Sequence, residues 1–357
     1  MVTALYIVSW EGSAGKTALC AGLSARLRGE GLKVSYLKPI TTKATVVNDR
    51  PTDADAELMR SLLGLPATAN ALTPCVLGHD ASAASVAGRA ESCRQSISAA
   101  LARAAADVVI LEGPPNIADG AELDLSPATV AQTCDAGVIV IADYGSDSAL
   151  DKIVSAAGLF GPRLIGAVVN QVPAYDFSYS SDSVRALLKG KNINVLGLLP
   201  QDPLLLTVSI REIASQVGGL ILNADEFADE LVENFMVGSM SLGPALDYFR
   251  RKNDKAVIVS SDRPDIQLVS LETSTRCLVV TGSGQPAPLA LARADELGVP
   301  IISVRQDTLS VLNALEGVFR QTSFGYPRKI ERFGELLSEY FDYAALYKRL
   351  NLKSKIA

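Results

Sequence analysis

A short segment near the start of the chain has the residue types of a phosphate-binding loop. Ser9-Trp-Glu-Gly-Ser-Ala-Gly-Lys-Thr17 directly follows the apolar run Leu5–Val8, so a strand, a loop of small residues and a helix start succeed one another. Backbone N–H groups and the helix N-terminus of such a loop attract an anion, Lys16 adds a cation, and Thr17 can bind Mg²⁺. We therefore predict that the chain binds ATP or another purine nucleotide together with Mg²⁺. The predicted phosphate-contacting residues are Gly12, Ser13, Ala14, Gly15, Lys16, Thr17 and Ala18.

The loop departs from the standard P-loop pattern at one position. That pattern has a glycine five positions before its second glycine, and this chain has Trp10 there. Gly12, inside the loop, compensates only in part. A loop that has decayed to a structural role is therefore the alternative to phosphate binding.

Carboxylates that complete a magnesium site follow other parts of the predicted sheet. Glu112 ends the apolar run Val108–Leu111, at the edge where doubly wound sheets bind their ligands. Asp55 lies in the acidic segment Asp53-Ala-Asp-Ala-Glu57. Because Mg²⁺ prefers oxygen ligands, we predict that Thr17, Asp55 and Glu112 bind the metal. The alternative for the acidic segment is a solvated first helical turn, which the helix dipole favours.

Two more polar residues lie at the ends of predicted strands. Lys38 follows the run Val34–Leu37, and we predict that it faces the loop instead of being an exposed surface lysine. Asn170 closes the run Ile165–Val169, where its amide either contacts a purine edge or forms a turn. If phosphoryl transfer occurs, Lys16 and Lys38 are the candidate catalytic residues.

Composition restricts the classes of function. The 357 residues carry a net charge of −6, which argues against a nucleic-acid-binding surface. One histidine, His79, is too few for a His-based metal site or catalytic triad. The five cysteines are scattered without a C-x-x-C pair, so we expect buried free thiols in a reducing compartment. Because there is neither a signal peptide nor an apolar stretch of ~18 residues, we predict a cytoplasmic protein without membrane contact.

The elements that must position these residues form two α/β blocks. Up to about residue 215, short Val, Ile and Leu runs alternate with helical patterns, which predicts a parallel sheet buried on both faces. The predicted strands are Leu5–Ser9, Val34–Leu37, Val108–Leu111, Val138–Ala142, Ile165–Val169 and Val195–Leu199. A break at Gln216–Gly219 precedes a smaller α/β block, and an amphipathic helix over about 329–350 is expected to pack against it. The predicted domains are 1–216 and 217–325, followed by a C-terminal helical segment at 326–357.

The second block contains the segment Ser261-Asp-Arg-Pro-Asp265. Pro264 suits the first position of a helix, Asp262 can cap that helix, and Arg263 can pair with an anion or a carboxylate. We predict a second-ligand site at Asp262, Arg263 and Asp265. A helix cap with a surface ion pair is the alternative.

Together, the residues of the first block resemble the dethiobiotin synthetase-like P-loop family. The loop of that family reads Gly-x₅-Gly-Lys-Thr, and on this spacing Ser9 takes the place of the first glycine. The shared motifs are a Tyr-x-Lys-Pro or Lys-Pro strand end, an Asp-Ala segment, a Glu-Gly strand end and an Asn-x-Val strand end, here at Lys38, Asp53–Ala56, Glu112 and Asn170. The resemblance implies that Lys16 and Thr17 bind phosphate and Mg²⁺, that Asp55 and Glu112 complete the metal site, that Asn170 contacts the base, and that Lys38 lies near a transferred phosphoryl group. Pro114-Pro115 departs from the small residues of the synthetase members and removes N–H donors near the site.

The second block resembles the DRTGG domain. The matching segments are Ser261–Leu268, Cys277–Gly282, Gly298–Ile301 and Asp307–Thr308. This pair of domains is the N-terminal regulatory half of long-form phosphate acetyltransferases. Because the printed sequence stops at Ala357, the resemblance implies a stand-alone chain without the acetyltransferase domain. It also implies a homo-oligomer, a dimer, and a partner enzyme of acetate, acetyl-phosphate or acetyl-CoA metabolism.

Three functions remain open from the sequence. The first is a nucleotide-binding regulator or sensor, the second an ATP- and Mg²⁺-dependent synthetase of the dethiobiotin synthetase class, and the third an oligomerisation module with a decayed P-loop. The retained Lys16, Thr17 and Glu112 oppose decay, whereas Pro114-Pro115 and the DRTGG domain oppose a synthetase. We favour the regulator, which is compatible with weak ATPase activity but not with phosphate acetyltransferase activity by this chain alone.

Overall fold

The structure is a computed structural model that describes residues 2–42, 44–47, 50–66, 68–77, 86–145, 148–316, 318 and 323–353. Contacts divide the chain into two compact units, residues 1–201 with 324–357 and residues 202–323. His79 lies outside the described residues.

The first unit is built on a six-stranded parallel sheet in the order β10-β9-β8-β1-β7-β2. Its central strands are almost continuous runs of buried Val, Ile and Leu, as strands covered on both faces require. This confirms the predicted α/β class. The strands are β1 (Thr3–Val8), β2 (Val34–Leu37), β3 (Ile40–Thr41), β4 (Thr45–Val47), β5 (Arg50–Thr52), β6 (Cys75–Val76), β7 (Val108–Glu112), β8 (Gly137–Asp143), β9 (Leu164–Val172) and β10 (Val195–Pro200).

Helices connect these strands. The helices are α1 (Lys16–Gly29), α2 (Ala54–Leu63), α3 (Val86–Arg103), α4 (Pro127–Thr133), α5 (Ala149–Phe160) and α6 (Phe177–Gly190). Outside the main sheet, β3 pairs with β6 in parallel and β4 pairs with β5 antiparallel. The sheet order brings the carboxyl ends of β1 and β7 together, so the loop before α1 and Glu112 are neighbours.

The second unit has its own sheet, in the order β12-β17-β16-β15-β14, in which only the short edge strand β12 runs antiparallel. Its strands are β11 (Val208–Ser209), β12 (Leu220–Ile221), β13 (Leu231–Val232), β14 (Asn234–Val237), β15 (Lys255–Ser260), β16 (Thr275–Thr281) and β17 (Ile301–Val304). Its helices are α7 (Ile210–Val217), α8 (Leu242–Phe249), α9 (Pro264–Leu271), α10 (Pro288–Leu297) and α11 (Thr308–Leu315). Two buried apolar clusters cover the two faces of this sheet.

The last two helices, α12 (Pro327–Tyr340) and α13 (Tyr343–Leu350), belong to the first unit. A Cβ atom added at Gly22 of α1 would lie 2.2 Å from the Leu337 side chain of α12, so the two helices pack at a glycine. Phe341 forms an isolated antiparallel bridge to Gly197 of β10. The expectation that the C-terminal helix packs against the second domain is therefore wrong.

The unit boundaries differ from those expected from the sequence. The second unit begins at Asp202, earlier than the predicted 217, because Ser209 caps α7 and α7 packs with α11. Residues 326–357 form no separate segment, since α12 and α13 pack on the first unit. The glycine pair at the expected break ends α7 within the second unit.

The expectation of free thiols is wrong for one pair of cysteines. Cys75 of β6 and Cys93 of α3 form a disulfide, with their Cα atoms 5.3 Å apart. Their spacing along the chain gives no sign of this, because the fold brings the strand and the helix together. The other three cysteines, Cys20, Cys134 and Cys277, are free and buried. No helix in the described ranges combines the length and the apolar character needed to cross a bilayer.

Candidate functional site

The loop between β1 and α1 forms a cradle of backbone groups. Ser13 has φ of 60° and Gly15 has φ of 101°, so the chain turns twice through the left-handed region before α1 begins. A Cβ atom at Gly15 would lie 2.6 Å from Nδ2 of Asn170, and only glycine fits there. The loop is thus held close to the end of β9.

The first turn of α1 points its backbone donors into this loop. Helix geometry leaves the N–H groups of Lys16, Thr17 and Ala18 without acceptors inside the helix. Lys16 is only 7% exposed. Burial lowers the pKa of its ammonium, and Lys38 adds to this, whereas Glu112 and Asp55 oppose it. The loop therefore joins a desolvated cation to a helix N-terminus, the combination that binds phosphate.

Glu112 lies beside the loop at the carboxyl end of β7. Its side chain is 1% exposed and accepts hydrogen bonds from Thr17 Oγ1 at 2.7 Å and from the Tyr36 hydroxyl at 2.9 Å. Burial, and after it the charge of Asp55, raises the pKa of Glu112 to about 7 against the opposing effects of Lys38 and Thr17. The structure thus brings together the predicted ligands Thr17 and Glu112.

Lys38 is buried among three carboxylates. Its Nζ atom lies 3.0 Å from Asp53 Oδ1 and 3.8 Å from Glu112 Oε1, and it also contacts Asp55 Oδ2. Burial lowers the pKa of Lys38, but the three carboxylates outweigh this and hold it above its usual value. Lys38 is thus no surface lysine, and it connects Asp55 to Glu112.

The oxygen atoms around Lys38 fit the chemistry of Mg²⁺. Thr17 offers a hydroxyl, and Asp55 and Glu112 offer carboxylates, which are hard ligands. In the part of the chain that the structure describes, no group of three or more His, Cys, Asp or Glu side chains could hold a metal by itself.

Asn170 has a contact that the sequence did not predict. Its Nδ2 donates to the Ala14 carbonyl at 3.1 Å, and the residue is 7% exposed. Asn170 therefore holds the loop, and a contact from Asn170 to a base stays a prediction.

In the second unit, two of the three predicted ligand-binding residues, Arg263 and Asp265, form an ion pair with each other. Arg263 donates two hydrogen bonds to Asp265, at 3.0 and 2.9 Å, and one to the Met240 carbonyl at 2.9 Å. Arg263 itself is the N-cap residue of α9, with Pro264 at the first helical position. The expected cap by Asp262 is therefore not observed, and a ligand at this site stays a prediction.

Sequence reasoning missed several side chains that organise the first site. Asp53 is 2% exposed, accepts from Lys38 and Thr41, and caps α2 through the N–H groups of Asp55 and Ala56. Tyr36 begins the Tyr-x-Lys-Pro motif, but its hydrogen bond to Glu112 was not predicted. Trp10 donates from Nε1 to the Lys152 carbonyl at 2.6 Å.

Family models match both units. A model described as an AAA domain matches residues 3–208, and the DRTGG domain model matches residues 212–318. Phosphate acetyltransferase of Pseudomonas putida is 24% identical over 365 residues, which cover 96% of this chain and 51% of that protein. Phosphate acetyltransferase of Nitratidesulfovibrio vulgaris is 24% identical over 383 residues, covering 98% and 52%. The chain thus spans about half the length of these curated relatives.

Two solved structures are similar in part. The CBS and DRTGG domains of the regulatory region of Clostridium perfringens pyrophosphatase, complexed with the activator diadenosine tetraphosphate, have 18% identity and a TM-score of 0.30, covering 41% of this chain and 71% of that one. The MinD cell division protein of Aquifex aeolicus has 15% identity and a TM-score of 0.37, covering 57% and 84%. The predicted pairing of a P-loop domain with a DRTGG domain, as in the N-terminal half of long-form phosphate acetyltransferases, is confirmed by the family matches and the relatives.

Proposed function

We propose a regulatory function from one premise: the chain belongs to the AAA domain family through residues 3–208, and it carries a DRTGG domain at 212–318. The first unit binds a purine nucleotide, ATP in the first instance, with Mg²⁺. The DRTGG domain binds a second ligand or mediates assembly. The relationship to phosphate acetyltransferases supports a regulator of acetate, acetyl-phosphate or acetyl-CoA metabolism that acts as a homodimer with an enzyme of that metabolism.

One observation carries the nucleotide proposal. The Thr17 hydroxyl, at the start of α1, donates to the buried Glu112 carboxylate at 2.7 Å, next to the desolvated Lys16. In this role Thr17, Asp55 and Glu112 hold Mg²⁺, which neutralises phosphate charge, while Lys16 and the backbone of the loop bind the phosphates.

Calorimetric titration tests the site. Wild-type protein should bind ATP more tightly with Mg²⁺ than without it, and Lys16→Ala should lose this binding. Lys189→Ala, which removes an exposed lysine of α6, is the matched control and should bind like wild type. The chain has a single tryptophan, and Trp10 lies in the loop, so its emission offers a second readout of the same titration. Equal, negligible binding by wild type and Lys16→Ala would favour the decayed loop.

A synthetase of the dethiobiotin synthetase class is the second candidate function. It is favoured by the buried Lys38, whose position beside Glu112 suits stabilisation of a transferred phosphoryl group. Phosphate release from ATP that depends on a diamino or carboxylic substrate would establish it, and Lys38→Met, assayed where its Trp10 emission shows that the first unit is folded, should abolish that release. Binding without such release would leave the regulator.

The proposed second-ligand site lies at Asp262, Arg263 and Asp265. A ligand there must compete with the Arg263–Asp265 ion pair, of which Asp265 is the acceptor. Asp265→Asn, which frees the guanidinium, should therefore tighten the binding of an anion, tested with ATP and with acetyl phosphate in a Lys16→Ala background. Unchanged heats in both titrations would remove this site from the proposal.

A further inference from the structure

The ammonium group of Lys16 is bound inside its own loop. Its Nζ atom donates to Ser9 Oγ at 2.6 Å and to the Glu11 carbonyl at 3.4 Å. Both side chains are buried, with Lys16 7% and Ser9 2% exposed. A loop with glycine at this position, as in the family that the chain resembles, has no such hydroxyl.

The direction of the hydrogen bonds follows from the Ser9 hydroxyl. It has one proton, and Ser9 Oγ donates that proton to the Glu11 carbonyl. The oxygen is therefore left as an acceptor, and it receives a charge-assisted bond from Lys16. Bonds of this kind are roughly twice as strong as those between neutral groups.

The carbonyl that accepts from Ser9 is itself held in place. The Glu11 carboxylate binds Lys152 Nζ of α5 at 2.8 Å, and the neighbouring Trp10 donates to the Lys152 carbonyl. Two consecutive residues, Trp10 and Glu11, thus attach the start of the loop to α5, directly before the peptide that Ser9 contacts. This arrangement keeps the acceptor for Lys16 in one position.

We propose that Ser9 is a positioning residue that competes with the phosphates of the nucleotide for the Lys16 ammonium. The inference rests on the proposed nucleotide site. The ammonium has three donors, and two of them already have acceptors in the loop, so a phosphate chain that takes two must displace the hydroxyl or the carbonyl. Ser9 therefore lowers the affinity of the site for nucleotides whose phosphates reach Lys16.

The test compares Ser9→Ala and Ser9→Gly with wild type in calorimetric titrations of Mg²⁺-ATP, Mg²⁺-ADP and AMP. Both variants should bind ATP and ADP about tenfold more tightly, a change equivalent to about 1.4 kcal/mol, and AMP unchanged. Ser9→Thr, which keeps the hydroxyl, should restore the wild-type affinity. Ser24→Ala is the matched control, because it removes a buried hydroxyl that bonds only within α1, at Cys20.

The outcomes separate this inference from the proposed function. If wild type binds Mg²⁺-ATP, Lys16→Ala does not, and both Ser9 variants bind with unchanged or weaker affinity, the competition is refuted and the nucleotide site stands. An equal change in the affinities for ATP, ADP and AMP would also refute the competition, because a purely structural role of Ser9 would affect the binding of all three nucleotides. If wild type fails to bind any of them, the proposed function itself fails. Thermal melting of each variant establishes that it is folded.

Discussion

Replacing Lys38 by methionine should strongly destabilise the first unit. Lys38 is 4% exposed and neutralises Asp53 and Glu112, which are 2% and 1% exposed. Methionine fills a similar volume but removes the ammonium group that contacts both carboxylates. Removing one partner of a buried ion pair costs about 3–5 kcal/mol.

The lower end of that range applies here. Asp53 keeps its bonds from Thr41 and from the backbone N–H groups of Asp55 and Ala56, so its charge stays partly compensated. Glu112 can take up a proton, because burial has already raised its pKa to about 7. We therefore expect a loss of about 3 kcal/mol in the free energy of unfolding at pH 8.

Urea denaturation followed by the emission of Trp10 measures this loss. Because Trp10 is the only tryptophan of the sequence and lies in the first unit, its signal is not mixed with unfolding of the second. Lys33→Met is the matched control, since Lys33 is exposed and should change stability by less than about 0.5 kcal/mol.

The loss should shrink as the pH falls towards 6. A carboxyl group whose folded-state pKa lies above its unfolded value stabilises the fold as the pH drops through the folded pKa. Without Lys38, the pKa of Glu112 is higher still. As the pH falls from 8 to 6, the free energy of unfolding therefore increases more for the variant than for wild type. Equal urea midpoints for Lys38→Met and Lys33→Met, or a loss that does not change between pH 8 and pH 6, would refute the reasoning.

Three further perturbations test other parts of the structure. Cys93→Ser should lower the stability of the oxidised first unit by about 3 kcal/mol, because the bond to Cys75 closes a loop with a sequence separation of 18; dithiothreitol should abolish the difference in urea midpoints. Burial lowers the pKa of Lys255 to about 8, so the charged ammonium destabilises the second unit at pH 7. Lys255→Met should therefore stabilise that unit at pH 7 by about 2 kcal/mol, even after the loss of one hydrogen bond worth about 1 kcal/mol. The difference in stability between variant and wild type, measured by circular dichroism during urea unfolding, should decrease as the pH rises from 8 to 10.5. Gly15→Ala should lower the free energy of unfolding, followed by Trp10 emission, by about 2 kcal/mol or more, because Gly15 has a positive φ. Gly12→Ala should lower it by less than about 1 kcal/mol, because a Cβ atom at Gly12 would have no atom within 4 Å. Equal losses in the two variants would show that the loop is not constrained at Gly15.

The sequence predicts the sheet well where local composition decides it. β2 begins and ends at the predicted residues, and the other strands of the main sheet differ by a few residues at their ends, because buried parallel strands are short runs of Val, Ile and Leu. β14, Asn234–Val237, is hard to predict, since four residues that begin with a polar one give little periodicity.

Features that depend on distant residues could not be predicted. The apolar stripe of α12 indicates that one face of this helix is buried. It does not show that the face packs on α1, where Leu337 contacts Gly22, some three hundred residues earlier in the chain. Likewise, the spacing of Cys75 and Cys93 does not show that β6 lies beside α3. At the site, residue types predicted the grouping of Thr17 with Glu112, whereas the bond from Asn170 to the loop requires the fold.

The packing of the late helix α12 on the early helix α1 has a consequence for biosynthesis. Residues 202–323 interrupt the first unit, so α1 leaves the ribosome long before the helix that covers it. At about 5–20 residues per second, Leu337 follows Gly22 after about 15–60 s. During that interval α12 is not yet available, so the apolar side of α1 stays uncovered, and the whole second unit is synthesised first. Completion of the nucleotide-binding unit is thus a late step of translation, and a ribosome that stalls before residue 324 leaves a nascent chain that chaperones are expected to hold.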